Sequence, residues 1–394
     1  MHALIACPIC QHSNTKSLVT RDNVPVHQNM VFQSKEDAAR ITRGDLHLRL
    51  CEECGFIYNS TFDANKLSYG DSYNNSQNYS AAFNQYTEEL SQYIIDEKGL
   101  QEGTIIEVGC GKADFIRQLF RRNDKIKGYG FDPAYVGDEV EFDGRLKFIR
   151  SFYGPAYEQI QADVVVCRHV IEHISHPVEL LRTIRKALEH SPNARVYFET
   201  PCVKWILENT VIWDFFYEHC SYFSTSSLTR AFEEAGFQIV NIHHVFQGQY
   251  LWVEAELNHE YNRKPKGNAA TIVPLANEYV RQEARIVNEW EHLVEASLSV
   301  GRLAVWGAGA KGVTFCNLFD KNREQIACVI DLNPQKQGGF IPGSGHPIVS
   351  PTELQSYSIR NVVLMNPNYR EEIEKLLIDN QIQVNILAIS EETL

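Results

Sequence analysis

Ile105-Ile106-Glu107-Val108-Gly109-Cys110-Gly111-Lys112-Ala113-Asp114-Phe115 is the stretch on which the reading of this chain turns. Ile105 to Val108 reads as a short buried strand of the kind found in parallel sheets. Two glycines then lead into a helix from Phe115 to Phe120, which makes this the first βα step of a doubly wound sheet. The spacing is Gly-x-Gly-x-Ala. A dinucleotide fold uses a third glycine to bring its helix close and to aim the helix N-terminus at a pyrophosphate, and this turn lacks it. Taken alone, these residues are also compatible with an ordinary βα turn.

The downstream chain adds register. Asp132, 21 residues after Gly111, ends a second strand from Lys127 to Pro133, where a carboxylate can accept both hydroxyls of a ribose. Phe148 to Phe152 reads as a third strand, Ala162 to His169 as a fourth that is apolar on both faces, and Arg195 to Pro201 as a fifth. This pattern resembles the S-adenosylmethionine (SAM)-dependent methyltransferases, and Val170-Ile171-Glu172-His173-Ile174 resembles their post-strand motif. The resemblance implies an α/β fold with a class I, Rossmann-like SAM methyltransferase core. Glu107 would accept a hydrogen bond from the cofactor's ammonium group or a structured water, and Gly109 and Gly111 would let the backbone pass close to its methionine moiety. Asp132 and Pro133 would hold the ribose and Phe152 would flank the adenine, with Arg168 and His169 completing the set.

At 394 residues the chain is long enough for two or three domains. A hydrophobic fraction of 44% supports sizeable cores, and a net charge of −13 argues against nucleic acid, which a basic patch would be needed to attract. No apolar run approaches the roughly 18 residues of a membrane span. Met1 to Ala6 lacks the charged region of a secretory signal and runs into cysteines, so a reducing cytoplasm is expected, where paired cysteines more often hold metal than form disulfides.

Cys7-Pro8-Ile9-Cys10 and Cys51-Glu52-Glu53-Cys54 are two C-x-x-C knuckles with 40 residues between them. Two such knuckles complete a tetrahedral four-thiolate zinc site with no position open for catalysis, and the alternatives are a redox pair or unliganded thiols. The spacer must carry structure of its own: a loop over Asp22 to Asn29 and a short helix over Ser34 to Ile41 are expected. Residues 58–84 are rich in Tyr, Asn and Ser, and Tyr69, Tyr73 and Tyr79 mark either a solvated linker or a lid over a polyhydroxyl ligand. An amphipathic helix follows over Thr87 to Gly99.

A second stretch carries chemistry. Asp214-Phe215-Phe216-Tyr217-Glu218-His219-Cys220-Ser221-Tyr222 packs two acids, an imidazole and two phenols into nine residues, just ahead of a helix capped by Ser224 or Thr225. A lone histidine is usually structural, but a Glu-His pair beyond the strand ends of such a sheet is where a general base would sit. Further on, a long connector helix over Thr271 to Ser299 leads into Leu303-Ala304-Val305-Trp306-Gly307-Ala308-Gly309-Ala310-Lys311-Gly312, with Asp331 ending the next strand, Ala327 to Ile330. That is the full Gly-x-Gly-x-x-Gly fingerprint. Residues 301–394 are enough for a mononucleotide-binding half but not for a six-stranded fold. A strand over Asn361 to Met365 ends in the polar loop Asn366-Pro367-Asn368-Tyr369-Arg370.

The order of parts resembles the three-domain C-methyltransferases of deoxysugar biosynthesis over nearly the whole chain. It implies a zinc-binding domain over 1–68, a SAM-dependent methyltransferase domain over 69–265, and a helical connector with a small C-terminal Rossmann-like substrate-binding domain over 266–394. Family members methylate a carbon beside the ketone of a nucleotide-linked keto-sugar. Their catalytic segment reads Tyr-His-Glu-His then Tyr-Phe-Ser, against Phe216-Tyr217-Glu218-His219 then Tyr222-Phe223-Ser224 here. By this resemblance His219 is the base and Glu218 orients it, with Tyr217, Tyr222 or a lid tyrosine as donor to the developing oxyanion. Tyr73, Tyr79, Gly307, Lys311, Asn366 and Tyr369 would line the substrate site. Gly307 and Lys311 would meet its diphosphate, although Lys311 is equally readable as a solvated lysine. The expected assembly is a cytoplasmic monomer or homodimer without nucleic-acid or membrane partners. The rivals are O- or N-methylation of a sugar or small molecule on the same fold, an NAD-linked oxidoreductase using residues 301–394, and a non-enzymatic zinc-ribbon module.

Overall fold

The computed structural model describes residues 6–68, 73–191, 193–258 and 269–387. Met1 to Ile5 and Tyr69, both used in the sequence reading, lie outside the described residues. The strands form three sheets, of four, eight and five strands.

The eight-stranded sheet runs in the order Phe237–Val245, Tyr250–Leu257, Arg195–Pro201, Val164–Arg168, Gly103–Val108, Ile126–Phe131, Leu146–Ile149, Val140–Glu141. The five strands from Arg195–Pro201 to Leu146–Ile149 are parallel, while Tyr250–Leu257 is antiparallel to both its neighbours. Ile105, Ile106, Val165 and Val166 are fully buried, as a strand covered on both faces requires. Phe115, Ile116, Leu119 and Phe120 bury one side of the Asp114–Arg122 helix against them. Successive connections from Gly103–Val108 run first toward Leu146–Ile149 and later toward Arg195–Pro201. The strand order therefore reverses between Gly103–Val108 and Val164–Arg168, and a crevice opens beyond their carboxyl ends. This crevice positions everything that follows.

The four-stranded sheet is antiparallel: Thr15–Pro25, Arg43–Cys51, Ile57–Asn59 and Ser221–Tyr222. The loop expected over Asp22 to Asn29 needs correction, because the first strand continues to Pro25, which pairs with Arg43. The pairing shifts register between Arg21 and Val24, with Asn23 at φ 56°. Such a bulge breaks the two-residue alternation by which a strand is recognised. The Ser34-capped helix is present over Lys35–Ala39. Ser221–Tyr222 joins this sheet from far along the chain, so residues 203–222 pass from the large sheet to the N-terminal one.

The five-stranded sheet is parallel throughout, in the order Ile348–Val349, Ile326–Ile330, Arg302–Trp306, Ile359–Leu364, Asn385–Leu387. It has the same reversal and more strands than the expected half-fold. Gly312 explains the third glycine: a Cβ there would lie 1.9 Å from the Gly307 carbonyl oxygen, so only glycine lets the Ala310–Phe319 helix settle on the turn. The connector helix spans Ile272–Val300. Its Trp290 packs edge-on against Trp213 at 5.1 Å and Phe315 at 5.3 Å, within one apolar core shared by the N-terminal sheet, the 203–222 segment and the C-terminal sheet. The helix expected at Thr87 begins earlier, at Ala81, because the Ser80 hydroxyl accepts the Phe83 N–H. Among the described residues no helix is long and apolar enough to cross a membrane.

Candidate active site

On one wall of the crevice, the turn after Val108 holds Gly109 at φ 72° and Gly111 at φ 54°. A Cβ on Gly109 would lie 2.1 Å from Val170 Cγ2, whereas one on Gly111 would meet nothing within 4 Å. Asp132 fixes this turn: Oδ2 accepts the Gly111 N–H at 2.8 Å and Oδ1 accepts the Ala134 N–H at 2.8 Å, across Pro133. Each oxygen keeps a lone pair for a ligand hydroxyl. Glu107 is buried, its Oε2 makes no hydrogen bond, and burial pushes its carboxyl up to about 8. A buried acceptor in this state is matched by a cationic donor. Phe152 lies beyond the Leu146–Ile149 strand, 64% exposed.

The opposite wall is an ion network. Arg168 Nε donates to Glu199 Oε2 at 2.6 Å, and the guanidinium lies 4.4 Å over the Phe115 ring. His169 adopts φ 53°, with Nε2 3.1 Å from Glu199 Oε1 and Nδ1 3.4 Å from Glu172 Oε1. Burial disfavours its cation, but Glu199 and Glu172 outweigh that and raise it to about 9. Burial likewise opposes ionisation of Glu199, yet Arg168 and His169 hold its carboxyl down at about 2. The Tyr86 hydroxyl donates to Glu199 Oε1 at 2.9 Å.

The Asp214 to Ser224 segment enters from above. The His219 ring lies 4.2 Å from Phe216 and 4.8 Å, edge to face, from His173. Burial, then the charges of His173, His169 and Lys311, hold its imidazole well below the ordinary histidine range, so it is neutral at physiological pH. Glu218 does not orient it. The Glu218 side chain is fully buried and turned to the N-terminal domain, where Oε1 accepts from His27 Nδ1 at 2.5 Å. His27 Nε2 accepts the Ser68 N–H at 2.9 Å, which leaves the ring proton on Nδ1. Instead, the Glu218 carbonyl accepts from His173 Nδ1 at 3.1 Å.

The expected phenol donors are also committed elsewhere. The Tyr217 hydroxyl accepts the Asp63 N–H at 2.9 Å, and its ring occupies the space a Cβ would need on Gly44. The Tyr222 hydroxyl donates to the Phe216 carbonyl and accepts the Phe216 N–H, both at 3.0 Å. Both are struts, because a buried phenol takes the nearest backbone partner.

Of the expected substrate residues, Lys311 is ion-paired with Asp214 and stands over the Trp205 ring, so it is no plain solvated lysine. Beside the Gly307 turn, the buried Lys336 donates to the Ala308 carbonyl at 3.0 Å and pairs with Asp331 at 3.7 Å. Asn366 exchanges amide hydrogen bonds with Gln249. The Tyr369 hydroxyl donates to Gln77 at 2.8 Å. Tyr73 bridges to Met30, its ring 6.1 Å from His27, and Tyr79 is 42% exposed. Asn74 bonds Gln335 and Asn333, and Ser80 bonds Glu372, so residues 73–80 strap the large sheet to the C-terminal domain. Sequence reasoning missed His27, Glu199, Tyr86 and Lys336. It noted Glu172 and His173 only as parts of a motif.

At the far end of the N-terminal hairpin, Cys7 and Cys54 sulfurs lie 3.7 Å apart and those of Cys10 and Cys51 3.5 Å apart. Metal–sulfur bonds of about 2.3 Å in a tetrahedron place thiolates roughly 3.8 Å apart, so the cluster has the dimensions of a structural zinc site.

Residues 78–242 match the methyltransferase-domain family, and residues 275–381 match the C-methyltransferase C-terminal domain. The chain is 24% identical over 394 residues to the C-methyltransferase NovU of Streptomyces niveus, an alignment covering 95% of this chain and 91% of that protein. It is 32% identical over 111 residues to the desmethylxanthohumol 6'-O-methyltransferase of Humulus lupulus, covering 27% of this chain and 30% of that one. Among solved structures, the N,N-8-amino-8-demethyl-D-riboflavin dimethyltransferase of Streptomyces davawensis aligns with a TM-score of 0.35 at 18% identity, over 45% of this chain and 55% of that chain.

Proposed function

For a chain that is a SAM-dependent methyltransferase, we propose that the acceptor is carbon: the position beside the ketone of a nucleotide-linked keto-deoxysugar. One observation carries this reading. A neutral imidazole, His219, stands beside His173, and among the described residues it makes no hydrogen bond of its own. Oxygen and nitrogen acceptors need little beyond placement, whereas a carbon acceptor must first lose a proton, which requires a base. The near full-length relative named as a C-methyltransferase supports the reading, while the O-methyltransferase relative overlaps only a quarter or so of this chain.

SAM supplies a methyl group already activated on sulfonium. Glu107 takes its ammonium group, the Gly109 to Gly111 turn passes its methionine moiety, and Asp132 holds its ribose. His219 removes the proton. With Tyr217 and Tyr222 committed to backbone, the positive charges of His169 and Lys311, which already act on His219, stabilise the enolate oxygen. Lys336 and the Gly307 turn hold the substrate's diphosphate. Cys7, Cys10, Cys51 and Cys54 hold a structural zinc ion that closes the hairpin and takes no part in the chemistry.

The test is mass spectrometry of products from a panel of nucleotide keto-sugars with methyl-labelled SAM in deuterated water. Carbon-bound label is expected, with deuterium at the ketone-adjacent carbon of recovered substrate, and both absent in His219→Ala. Label on oxygen or nitrogen that survives His219→Ala would sink the proposal.

A further inference from the structure

We propose that Glu172, His173 and His219 form a second metal site, for a divalent transition metal, whose occupation switches off His219 as a base. One ligand atom from each of the three lies within 4.8 Å of the others. Two imidazoles and a carboxylate are the donors that zinc, cobalt and nickel accept. Bonds of about 2.0–2.2 Å put tetrahedral ligands roughly 3.4 Å apart. The three groups must therefore close by up to about 1.4 Å, within the reach of side-chain rotation.

The surroundings hold these groups as a metal site does. His173 donates from Nδ1 to the Glu218 carbonyl at 3.1 Å, so Nε2 is the atom through which its deprotonated ring would bind a metal. Glu172 is buried, and its Oε2 accepts the Thr200 hydroxyl at 3.1 Å. Its Oε1, also buried, accepts no hydrogen bond and has the His169 ring at 3.4 Å as its ion-pair partner. Ligands whose second polar atom is held by a carbonyl or hydroxyl are the recurring pattern in metal sites.

The neighbouring charges set how tightly such an ion is held. Arg168 is balanced by Glu199 and Lys311 by Asp214, while His169 is shared between Glu199 and Glu172. A dication competes with His169 for Glu172 Oε1, so this site is weaker than the four-thiolate cluster and its ion exchanges. Once His219 gives its lone pair to the metal, it has none for a proton. Only that last consequence rests on the carbon-methylation reading.

Cobalt(II) titrated into the full-length protein tests the site, with its thiolate cluster already filled by zinc. The expected result is one further equivalent, with visible d–d absorption but no thiolate-to-cobalt charge transfer. His219→Ala and Glu172→Gln should abolish it, and Thr200→Val should weaken it about tenfold. Calorimetric binding of S-adenosylhomocysteine verifies that each variant folds, and the wild-type titration is decisive on its own. No further equivalent in the wild type, or an equivalent that both His219→Ala and Glu172→Gln leave unchanged, overturns the proposal. The titration contains no acceptor, so its failure leaves the carbon-methylation reading standing, and failure of that reading leaves the metal site intact.

Discussion

His27 and Glu218, 191 residues apart in the chain, are joined by a hydrogen bond of 2.5 Å between two buried side chains. The N-terminal domain thus reaches into the segment that carries His219. Removing the donor of a buried hydrogen bond leaves its acceptor unsatisfied, at a cost of about 1–3 kcal/mol and more for a charged acceptor. His27→Ala is therefore expected to lose about 3 kcal/mol, and adding Glu218→Gln should restore part of the loss by removing the stranded carboxylate. Urea unfolding of the two variants measures this. Equal stability of wild type and His27→Ala would contradict it.

Gly109 and Gly111 share a turn but are required for different reasons. Alanine at 109 meets Val170 Cγ2 at 2.1 Å in addition to an unfavourable φ, so Gly109→Ala should lower stability measurably. Alanine at 111 meets no protein atom and bears only the left-handed penalty of about 1–2 kcal/mol. Its methyl projects toward the space proposed for the cofactor. Gly111→Ala should therefore lose S-adenosylhomocysteine affinity at least tenfold in calorimetry while losing no more stability than that penalty. Unchanged affinity would move the cofactor elsewhere.

These pairs also show what the sequence could and could not disclose. The parallel strands were legible because burial on both faces makes Ile105, Ile106 and Val108 and the run Val164 to Val166 apolar, with Glu107 the one polar exception. The glycine turns were legible because Gly109 and Gly312 leave no room for a Cβ, and Gly111 and Gly307 hold a positive φ. Asp22 to Pro25 was not, since its strand depends on a partner across a bulge. Adjacency misled at Glu218 and His219: neighbours in the chain, their side chains leave in different directions, one to His27 and the other to His173. Tyr217 and Tyr222 look like site phenols until their backbone partners are seen.

The four cysteines close the hairpin at the end opposite His27. A chelator that strips metal should loosen the strands Thr15–Pro25 and Arg43–Cys51 and, through them, the His27–Glu218 pair. One zinc per chain is expected by elemental analysis, with a melting temperature several degrees lower after stripping and in Cys51→Ser. A stripped chain that melts like the wild type would leave these cysteines without a structural metal.

Glu107 gives the sharpest link between electrostatics and cofactor. Burial raises its carboxyl from 4.5 to about 8, so the unligated fold holds a proton there at pH 7 that the unfolded chain has released. The folded state then binds more protons than the unfolded, and stability falls as pH rises from about 4.5 to 8. Glu107→Gln should flatten that slope. If the ammonium group of S-adenosylhomocysteine pairs with Glu107, binding at pH 7 must expel this proton, since the cation favours the carboxylate. Calorimetry in buffers of different ionisation enthalpy should report release of nearly one proton, and Glu107→Gln should abolish it while weakening binding. Cofactor binding without proton release in the wild type would mean that the carboxyl stays protonated, and that the ammonium group is held by something other than Glu107.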